Sequence, residues 1–357
     1  MGVSVDYPDK LSQLRTYTVD YDCWNRHFYA MKSISILVPN GSCSICNIEV
    51  SYRLFSEVNL ILQQSGKKKM FDIKLVGLAT ESAQNAGMFT IKPDLLTAEV
   101  KKTDLIIVPA MNGDLRQAIK NNQDFIPWIV EHYNNGAEVA SFCVGSFFLA
   151  ATGLLKNKPC STHWQAADEF RNAYPDVILK SERLITEAEG IYTSGGANSF
   201  LNLVLYLVQK YAGREMAIMI SKIFMIDMDK ISQAPFIVFK GQKEHKDEEV
   251  IIAQDYIEHN YQANMTVKHL TGILRLNRRN FERRFKKATC NTVLEYIHRV
   301  KIEAAKKGFE TTDKNIAEIM WEVGYQDMKA FRNLFRKVTG LSPADYRRKY
   351  RGAGLPV

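Results

Sequence analysis

The chain has 357 residues, 46% of them hydrophobic and 24% charged, which excludes a largely disordered or collagen-like protein. No stretch approaches the roughly 20 apolar residues of a membrane helix, and no basic segment followed by an apolar core marks a signal peptide. A cytoplasmic protein with no membrane association is therefore expected. Residues 251–351 carry 21 Lys+Arg and 11 Asp+Glu, a net charge of +10, whereas the remainder is −2. This asymmetry predicts one module that meets nucleic acid and one that does not.

The predicted elements of the first module alternate between strand and helix. Residues 1–30 form an N-terminal extension of uncertain role, and residues 31–238 form the first domain. Its apolar or β-branched segments predict strands at 33–38, 71–78, 104–108, 138–142, 183–187 and 191–194. Helices are predicted at 48–64, 123–135, 197–211 and 214–225. This order predicts an α/β domain, a flavodoxin-like three-layer sandwich with a mostly parallel sheet.

The sequence SFCVGSFFLAATGLL is the candidate chemical site of the first domain. A buried strand runs directly into Cys143, and Gly145 and an apolar helix follow, which is typical of a nucleophile elbow. The helix N-terminus is expected to lower the thiol pKa, and His163 is a candidate base. The alternative interpretation is a buried core thiol and a hydrogen-bonded core histidine.

The six cysteines are too sparse for a disulfide scaffold. Cys43 and Cys46 form one C-x-x-C, but no second pair or nearby histidine accompanies them. We interpret them as two incidental buried thiols rather than a zinc or redox site, and we predict neither a metal nor a cofactor.

Residues 239–249 (FKGQKEHKDEE) are densely charged and predict an interdomain linker. Residues 250–351 then have a wholly helical pattern, which predicts an all-α domain, and residues 352–357 form a tail.

Two segments of this second domain share one design. In the first, a short helix at 266–273 leads through a turn to a basic helix that Asn277 can cap. In the second, a short helix at 315–323 is followed by a turn at Gly324, a cap at Asp327 and a basic helix at 328–338. A long helix at 293–308 joins the two. Each segment has the pattern of a helix-turn-helix motif.

Each basic helix separates into two faces. Phe281 and Phe285, like Phe331 and Phe335, are spaced four residues apart and are predicted to be core residues. The opposite faces predict DNA contacts, although a merely solvated basic surface is the alternative. Side chains expected to reach bases are Arg278, Arg279, Arg283, Met328, Lys329 and Arg332; Asn333 shares their face, and Lys286, Arg336, Lys337 and Arg347 are expected to contact phosphate.

Residues 254–350 closely resemble the DNA-binding domain of AraC-family transcription regulators. The resemblance rests on LRLNRRNFERRFKKATCNTVLEYIHRVKIEAAKK and IAEIMWEVGYQDMKAFRNLFRKVTGLSPADYRRK. Cys290 departs from it, because the family usually has glycine there. The resemblance implies two recognition helices in successive major grooves, about 34 Å apart.

Residues 32–236 resemble the PfpI-like branch of the class I glutamine amidotransferase-like superfamily. This resemblance rests on CVGSFFLAATGLLKNKPCSTHW, EGIYTSGGANSFLNLVLYLV and QAPF. Fusion of such a domain to an AraC-type module is found in the GlxA-like subfamily of regulators. In those relatives the first domain is taken to sense small metabolites.

Departures from the enzymatic relatives argue against catalysis. The subfamily's Leu-Asp-x-x-Gly-Pro is replaced by residues 46–51 (CNIEVS), and Glu49 is not clearly in the carboxylate's register. Pro109, Ala110 and Met111 replace a glycine pair whose backbone would form an oxyanion hole. We therefore expect no enzyme, with Cys143 and His163 as vestigial residues.

These observations predict a sequence-specific, double-stranded-DNA-binding transcription regulator. We expect an unknown small-molecule effector to bind Cys143, His163, Trp164 and Asn112. A homodimer held by the first domain is expected, and RNA polymerase is a further candidate partner. Two alternatives stay open: a bifunctional protein with an active Cys-dependent hydrolase or deglycase domain, and a ligand-independent regulator whose first domain only dimerises.

Overall fold

A computed structural model describes residues 31–351; the N-terminal extension and the tail lie outside this range. Within it an α/β domain precedes a helical domain, as predicted. No helix in the described range is both long and apolar enough to cross a membrane.

The first domain is built on a seven-stranded sheet of order β10-β11-β7-β6-β1-β2-β5. All neighbouring strands are parallel except β10 and β11. The antiparallel hairpin β3–β4 and the parallel pair β8–β9 lie outside this sheet. The strands are β1 (Lys32–Val38), β2 (Phe71–Gly77), β3 (Ser82–Gln84), β4 (Phe89–Ile91), β5 (Leu95–Leu96), β6 (Leu105–Val108), β7 (Glu138–Phe142), β8 (Pro159–Cys160), β9 (Ile178–Leu179), β10 (Ile185–Ala188) and β11 (Ile191–Ser194).

Helices cover both faces of the sheet and complete the three layers. One apolar core lies between the sheet and α1, α6 and α7, and the other between the sheet and the remaining helices. These helices are α1 (Ile45–Gln64), α2 (Leu115–Asn121), α3 (Phe125–Asn134), α4 (Gly145–Ala151), α5 (Ala167–Ala173), α6 (Phe200–Ala212) and α7 (Arg214–Ile223). The six predicted strands are confirmed to within a few residues, whereas the sequence did not predict the β3–β4 hairpin.

The second domain has two helical subdomains, each with its own apolar core. Phe281 and Phe285 lie in the first core and Phe331 and Phe335 in the second, as predicted. The helices are α8 (Glu248–His259), α9 (Val267–Ile273), α10 (Arg278–Thr289), α11 (Val293–Thr311), α12 (Ile316–Glu322), α13 (Met328–Thr339) and α14 (Pro343–Arg351).

A buried lysine on α11 ties the two subdomains together. Lys301 is 5% exposed, and its ammonium donates to the carbonyls of Ala263, which precedes α9, and Val323, at the end of α12. One cation therefore satisfies acceptors in both subdomains and links them.

The segment predicted as a linker is held against the second domain. The Phe239 ring lies 5.1 Å from that of Tyr296, and Asp247 caps α8 and pairs with Arg284. Lys243 pairs with two acidic side chains of α8. The charged side chains of this segment therefore form a helix cap and ion pairs within the second domain, which the sequence alone does not reveal.

Candidate nucleic-acid interface and nucleophile elbow

The first recognition helix, α10, presents basic side chains on its exposed face. Asn277 caps it by accepting from the Asn280 N–H, while the phenylalanine pair on the other face anchors it. The predicted contact residues Arg278, Arg279, Arg283 and Lys286 are all exposed. Two of them are partly engaged, because Arg278 bonds Glu282 at 3.1 Å and Arg283 bonds Asn280 at 2.8 Å.

The second recognition helix, α13, has the same construction. Asp327 accepts from the backbone N–H groups of Lys329 and Ala330, which satisfies donors that the first turn leaves free. Five predicted contact residues are exposed: Lys329, Arg332, Asn333, Arg336 and Lys337. Met328 instead is half-buried and packs on the core of the second subdomain, which weighs against its predicted base contact.

Arg347 is engaged within the protein. Its guanidinium lies 5.0 Å from the centre of the Phe309 ring and donates to the carbonyl of Lys314. This position holds the loop before α12 against α14 and does not favour the phosphate contact that the sequence predicted.

In the first domain, Cys143 lies in a nucleophile elbow between β7 and α4. Its φ of +54° is in the left-handed region, and its N–H donates to the carbonyl of Ser194 at 2.9 Å. A Cβ on Gly145 would lie 2.6 Å from the Pro109 carbonyl oxygen, so only glycine fits there. The backbone of the predicted elbow is therefore confirmed.

The electrostatics of the elbow differ from the expectation. Cys143 is 8% exposed, and burial raises the pKa of its thiol to about 11, although a backbone hydrogen bond from Val144 acts in the opposite direction. The prediction that the helix N-terminus gives a net lowering of this pKa is wrong. Desolvation outweighs the helix dipole because few donors reach the buried sulfur.

His163 has no carboxylate partner among the described residues. Its Nδ1 accepts from the Gln165 N–H at 3.2 Å, its ring stacks on Trp164, and burial lowers its pKa. A base that is to activate a thiol is usually oriented by a third group, and the described residues provide none here.

The positions of the expected carboxylate and oxyanion hole have other roles. Asn47, which replaces the subfamily's aspartate, accepts from the Ala110 N–H at 3.0 Å. The Ala110 N–H, a candidate donor to an oxyanion, is thus already hydrogen-bonded to a side chain. Glu49 is exposed on α1 and pairs with Arg53 at 3.5 Å, so its carboxylate does not serve the elbow.

The C-x-x-C at the start of α1 contains one buried and one exposed thiol. Cys43 is buried and has a pKa raised by that burial to about 12. Cys46 is exposed, so the prediction of two buried thiols is wrong for it, because it faces outward on the first turn of the helix.

The four predicted effector contacts do not share one described cavity. Trp164 lines a cleft of about 1210 Å³ between the two domains, whereas Cys143, His163 and Asn112 are absent from its lining. Asn112 is exposed, and its backbone N–H bonds the Ser42 carbonyl. Stacking of His163 on Trp164 is the contact that links the elbow side to the cleft.

Gln233 connects the elbow to the second domain, a role that sequence reasoning missed. Thr162 donates to the Cys143 carbonyl at 3.2 Å, and Gln233 donates to the Thr162 carbonyl at 2.9 Å. Gln233 begins the short 3-10 turn Ala234–Phe236, which packs against α13. The QAPF motif is the signal that could have pointed to it.

Comparison with known proteins follows the same division of the chain. Residues 270–349 match a helix-turn-helix domain family, and residues 54–210 match the DJ-1/PfpI family. The HTH-type transcriptional regulator GbdR of Pseudomonas aeruginosa is 26% identical over 271 residues, covering 75% of this chain and 72% of that protein. CdhR, an HTH-type transcriptional regulator of the same species, is 23% identical and covers 72% and 76%.

A solved AraC family transcriptional regulator from Pseudomonas putida is 18% identical, with a TM-score of 0.46, over 55% of this chain and all of that one. The two family matches fall within the two domains of the fold, and the capped basic helices lie in the helix-turn-helix match. The chain is thus a DNA-binding transcriptional regulator of the AraC type that carries an N-terminal DJ-1/PfpI domain.

Proposed function

We propose that this regulator reads its operator with α10 and α13 and responds to a small polar metabolite bound by its DJ-1/PfpI domain. The observation that carries the first half is the pair of capped helices, each with an exposed basic face opposite two buried phenylalanines. Two such helices joined by α11 suit successive major grooves on one side of the duplex.

Base reading and phosphate contact predict different mutational effects. Arg279 and Arg332 lie near the starts of the helices, are exposed and have no hydrogen-bond partner among the described residues, so both are free to reach guanine. Arg279→Ala and Arg332→Ala should each cost about 1–3 kcal/mol of binding free energy on cognate DNA and relax preference in one half of the site.

Lys337→Ala is the matched control, because a phosphate contact should weaken binding to cognate and random duplexes about equally. Affinities measured on both duplexes at several salt concentrations separate these cases. Equal losses on cognate and random DNA for Arg279→Ala would refute its base-reading role.

A non-catalytic DJ-1/PfpI domain is supported by three features of the elbow. The Cys143 thiol has a raised pKa, Asn47 occupies the Ala110 N–H, and Glu49 pairs with Arg53 on the surface. Cys143→Ala should fold, bind DNA normally and retain most regulation. Hydrolysis of an amide, ester or glycated substrate that disappears in Cys143→Ala would instead support the bifunctional alternative.

A metabolite response is favoured by the hydrogen-bonded path from Cys143 through Thr162 and Gln233 to the turn on α13. Measuring DNA affinity of the full chain against a metabolite library tests it. A ligand-dependent change that Cys143→Ala, His163→Ala or Asn112→Ala alters would support an effector at the elbow. No change with any metabolite would favour the ligand-independent regulator.

The remaining partners follow from the regulatory role. We propose a cytoplasmic homodimer held by the DJ-1/PfpI domain, with RNA polymerase as a further partner at the promoter. One chain reads only about two turns of DNA, so a dimer would extend the site. Sedimentation of residues 31–240 tests this: a monomer at tens of micromolar would contradict the dimer.

A further inference from the structure

The interdomain cleft separates the DJ-1/PfpI domain from the DNA-binding domain. One wall is formed by the turn at Trp164 and by α5, including Asp168 and Arg171. The other is formed by the linker segment and by α11, including Arg299. Its volume of about 1210 Å³ is ample for a small molecule.

Arg299 is the unusual group in this cleft. Its guanidinium is half-buried and lies 5.6 Å from the centre of the Phe239 ring. It forms no hydrogen bond and no ion pair with any residue in the described range 31–351. A guanidinium carries five N–H donors, and those of Arg299 remain accessible to solvent in the cleft. The free fork of Arg299 therefore offers a site for an acceptor from outside the chain.

Three carboxylates act electrostatically on Arg299, and two of them already have partners. Asp168 binds Arg171, and Glu295 closes the capping box of α11 with Thr292. Glu182, the remaining nearby acid, is exposed to solvent. None of the three comes within ion-pair distance of Arg299.

A second guanidinium, on the opposite domain, also lines the cleft. Arg171 bonds Asp168 and the Ser181 hydroxyl, and its charge, after burial, is the main influence that lowers the pKa of Arg299. The charges of the three carboxylates raise this pKa, but the net shift stays downward, so a further anion beside Arg299 would stabilise its charged form.

We propose that the interdomain cleft binds a small molecule that carries a carboxylate or phosphate group, with Arg299 as its principal anchor. The planar fork of arginine matches either group through two parallel hydrogen bonds. Trp164 forms part of the wall. A bound anion contacts both domains, so its binding stabilises their docked arrangement. This site is distinct from the proposed effector contacts at Cys143, His163 and Asn112.

The test uses the full chain with citrate and inorganic phosphate as probes, against chloride at equal ionic strength and pH. Isothermal titration calorimetry and the fluorescence of Trp164, with Trp164→Phe to assign the signal, report binding. We expect millimolar binding of at least one probe, weakened about 10- to 100-fold by Arg299→Gln, as loss of charge-assisted hydrogen bonds should produce. Arg348→Gln removes an exposed arginine of the same domain and should leave binding unchanged.

Several outcomes would overturn the site. These are absence of binding by both probes, equal binding by wild type and Arg299→Gln, or equal weakening by Arg348→Gln. If Arg299→Gln does not fold, Arg299→Lys replaces it in the test, because lysine keeps the positive charge but lacks the planar fork. Undiminished anion binding by Arg299→Lys would also refute the role of Arg299 as the anchor. If Arg299→Gln lowers DNA affinity without added anion and reduces the salt slope by about 1, Arg299 is a DNA phosphate contact instead.

Discussion

The Cys143 thiol lies where two physical effects oppose each other. The N-terminus of α4 favours a thiolate, but the side chain is almost fully buried and desolvation disfavours the charge. Burial prevails and raises the pKa to about 11. The elbow thus keeps the backbone of a nucleophile site, but burial disfavours its thiolate.

Cysteine alkylation provides a direct test at this scale. Among the five described cysteines, Cys290 and Cys46 are exposed, whereas Cys43, Cys143 and Cys160 are buried. Iodoacetamide at pH 8, followed by mass spectrometry of each site, should modify Cys290 first and Cys143 slowly. Burial, followed by the nearby Glu49 charge, raises the pKa of Cys46 and should slow it relative to Cys290. Modification of Cys143 before Cys290 would contradict this order. Alkylation of the chain unfolded in urea, where every cysteine is accessible, gives the reference rate for each site.

At the scale of elements, the two helix-turn-helix units reach the same turn with different residues. Gly324 has a φ of +77° in the second unit, and Arg275 has +53° at the corresponding turn of the first. Cys290 and Gly340 likewise both end their helices in the left-handed region. The departure from glycine at Cys290 therefore carries a backbone cost, which the first unit tolerates.

Two glycine substitutions separate backbone strain from steric clash. A Cβ on Gly340 meets only ordinary contacts, whereas a Cβ on Gly324 would lie 2.1 Å from the Gln262 carbonyl oxygen. Gly340→Ala should cost about 1 kcal/mol from its φ alone, and Gly324→Ala about 2–4 kcal/mol because a clash is added. Urea unfolding of the full chain measures both. Equal losses would show that the loop at Gln262 yields without cost.

At the scale of the whole molecule, the segment between the domains is held mainly by contacts with the DNA-binding domain. Tyr350 bonds the Pro235 carbonyl at 2.8 Å, and Lys306 bonds the Ile237 carbonyl. From Phe239 onward the chain packs on the first helix-turn-helix subdomain. We therefore propose that the DNA-binding unit begins near Val238 rather than at the end of the charged segment.

Two fragments test this boundary. Residues 249–357 lack the Phe239 ring and the Asp247 cap, so they should be about 2–3 kcal/mol less stable than residues 238–357. Both fragments should bind DNA with a salt slope of about −0.9 per phosphate contacted. Thermal unfolding and salt-dependent affinity measure the two properties. If the shorter fragment is equally stable, the segment 238–248 contributes nothing to the stability of the domain. Lys240→Ala in the longer fragment changes an exposed side chain of this segment and is the matched control.

The sequence by itself determined the features that depend on residues a few positions apart. Apolar spacing set the buried faces of α10 and α13, and Asn277 and Asp327 set their first turns. The buried strand that leads through Cys143 to Gly145 set the elbow. These signals are local because a cap or a helix face is complete within one or two turns.

Only the tertiary structure decided which polar groups meet across long stretches of chain. It engaged Arg347 with Lys314, gave Asn47 the Ala110 N–H, and left Arg299 in the cleft without an acceptor from residues 31–351. The thiol pKa of Cys143 likewise depended on how deeply distant segments buried it. Burial and hydrogen bonding of this kind are properties of the packed chain, because the partners are separated by tens of residues and are brought together only when the domains pack.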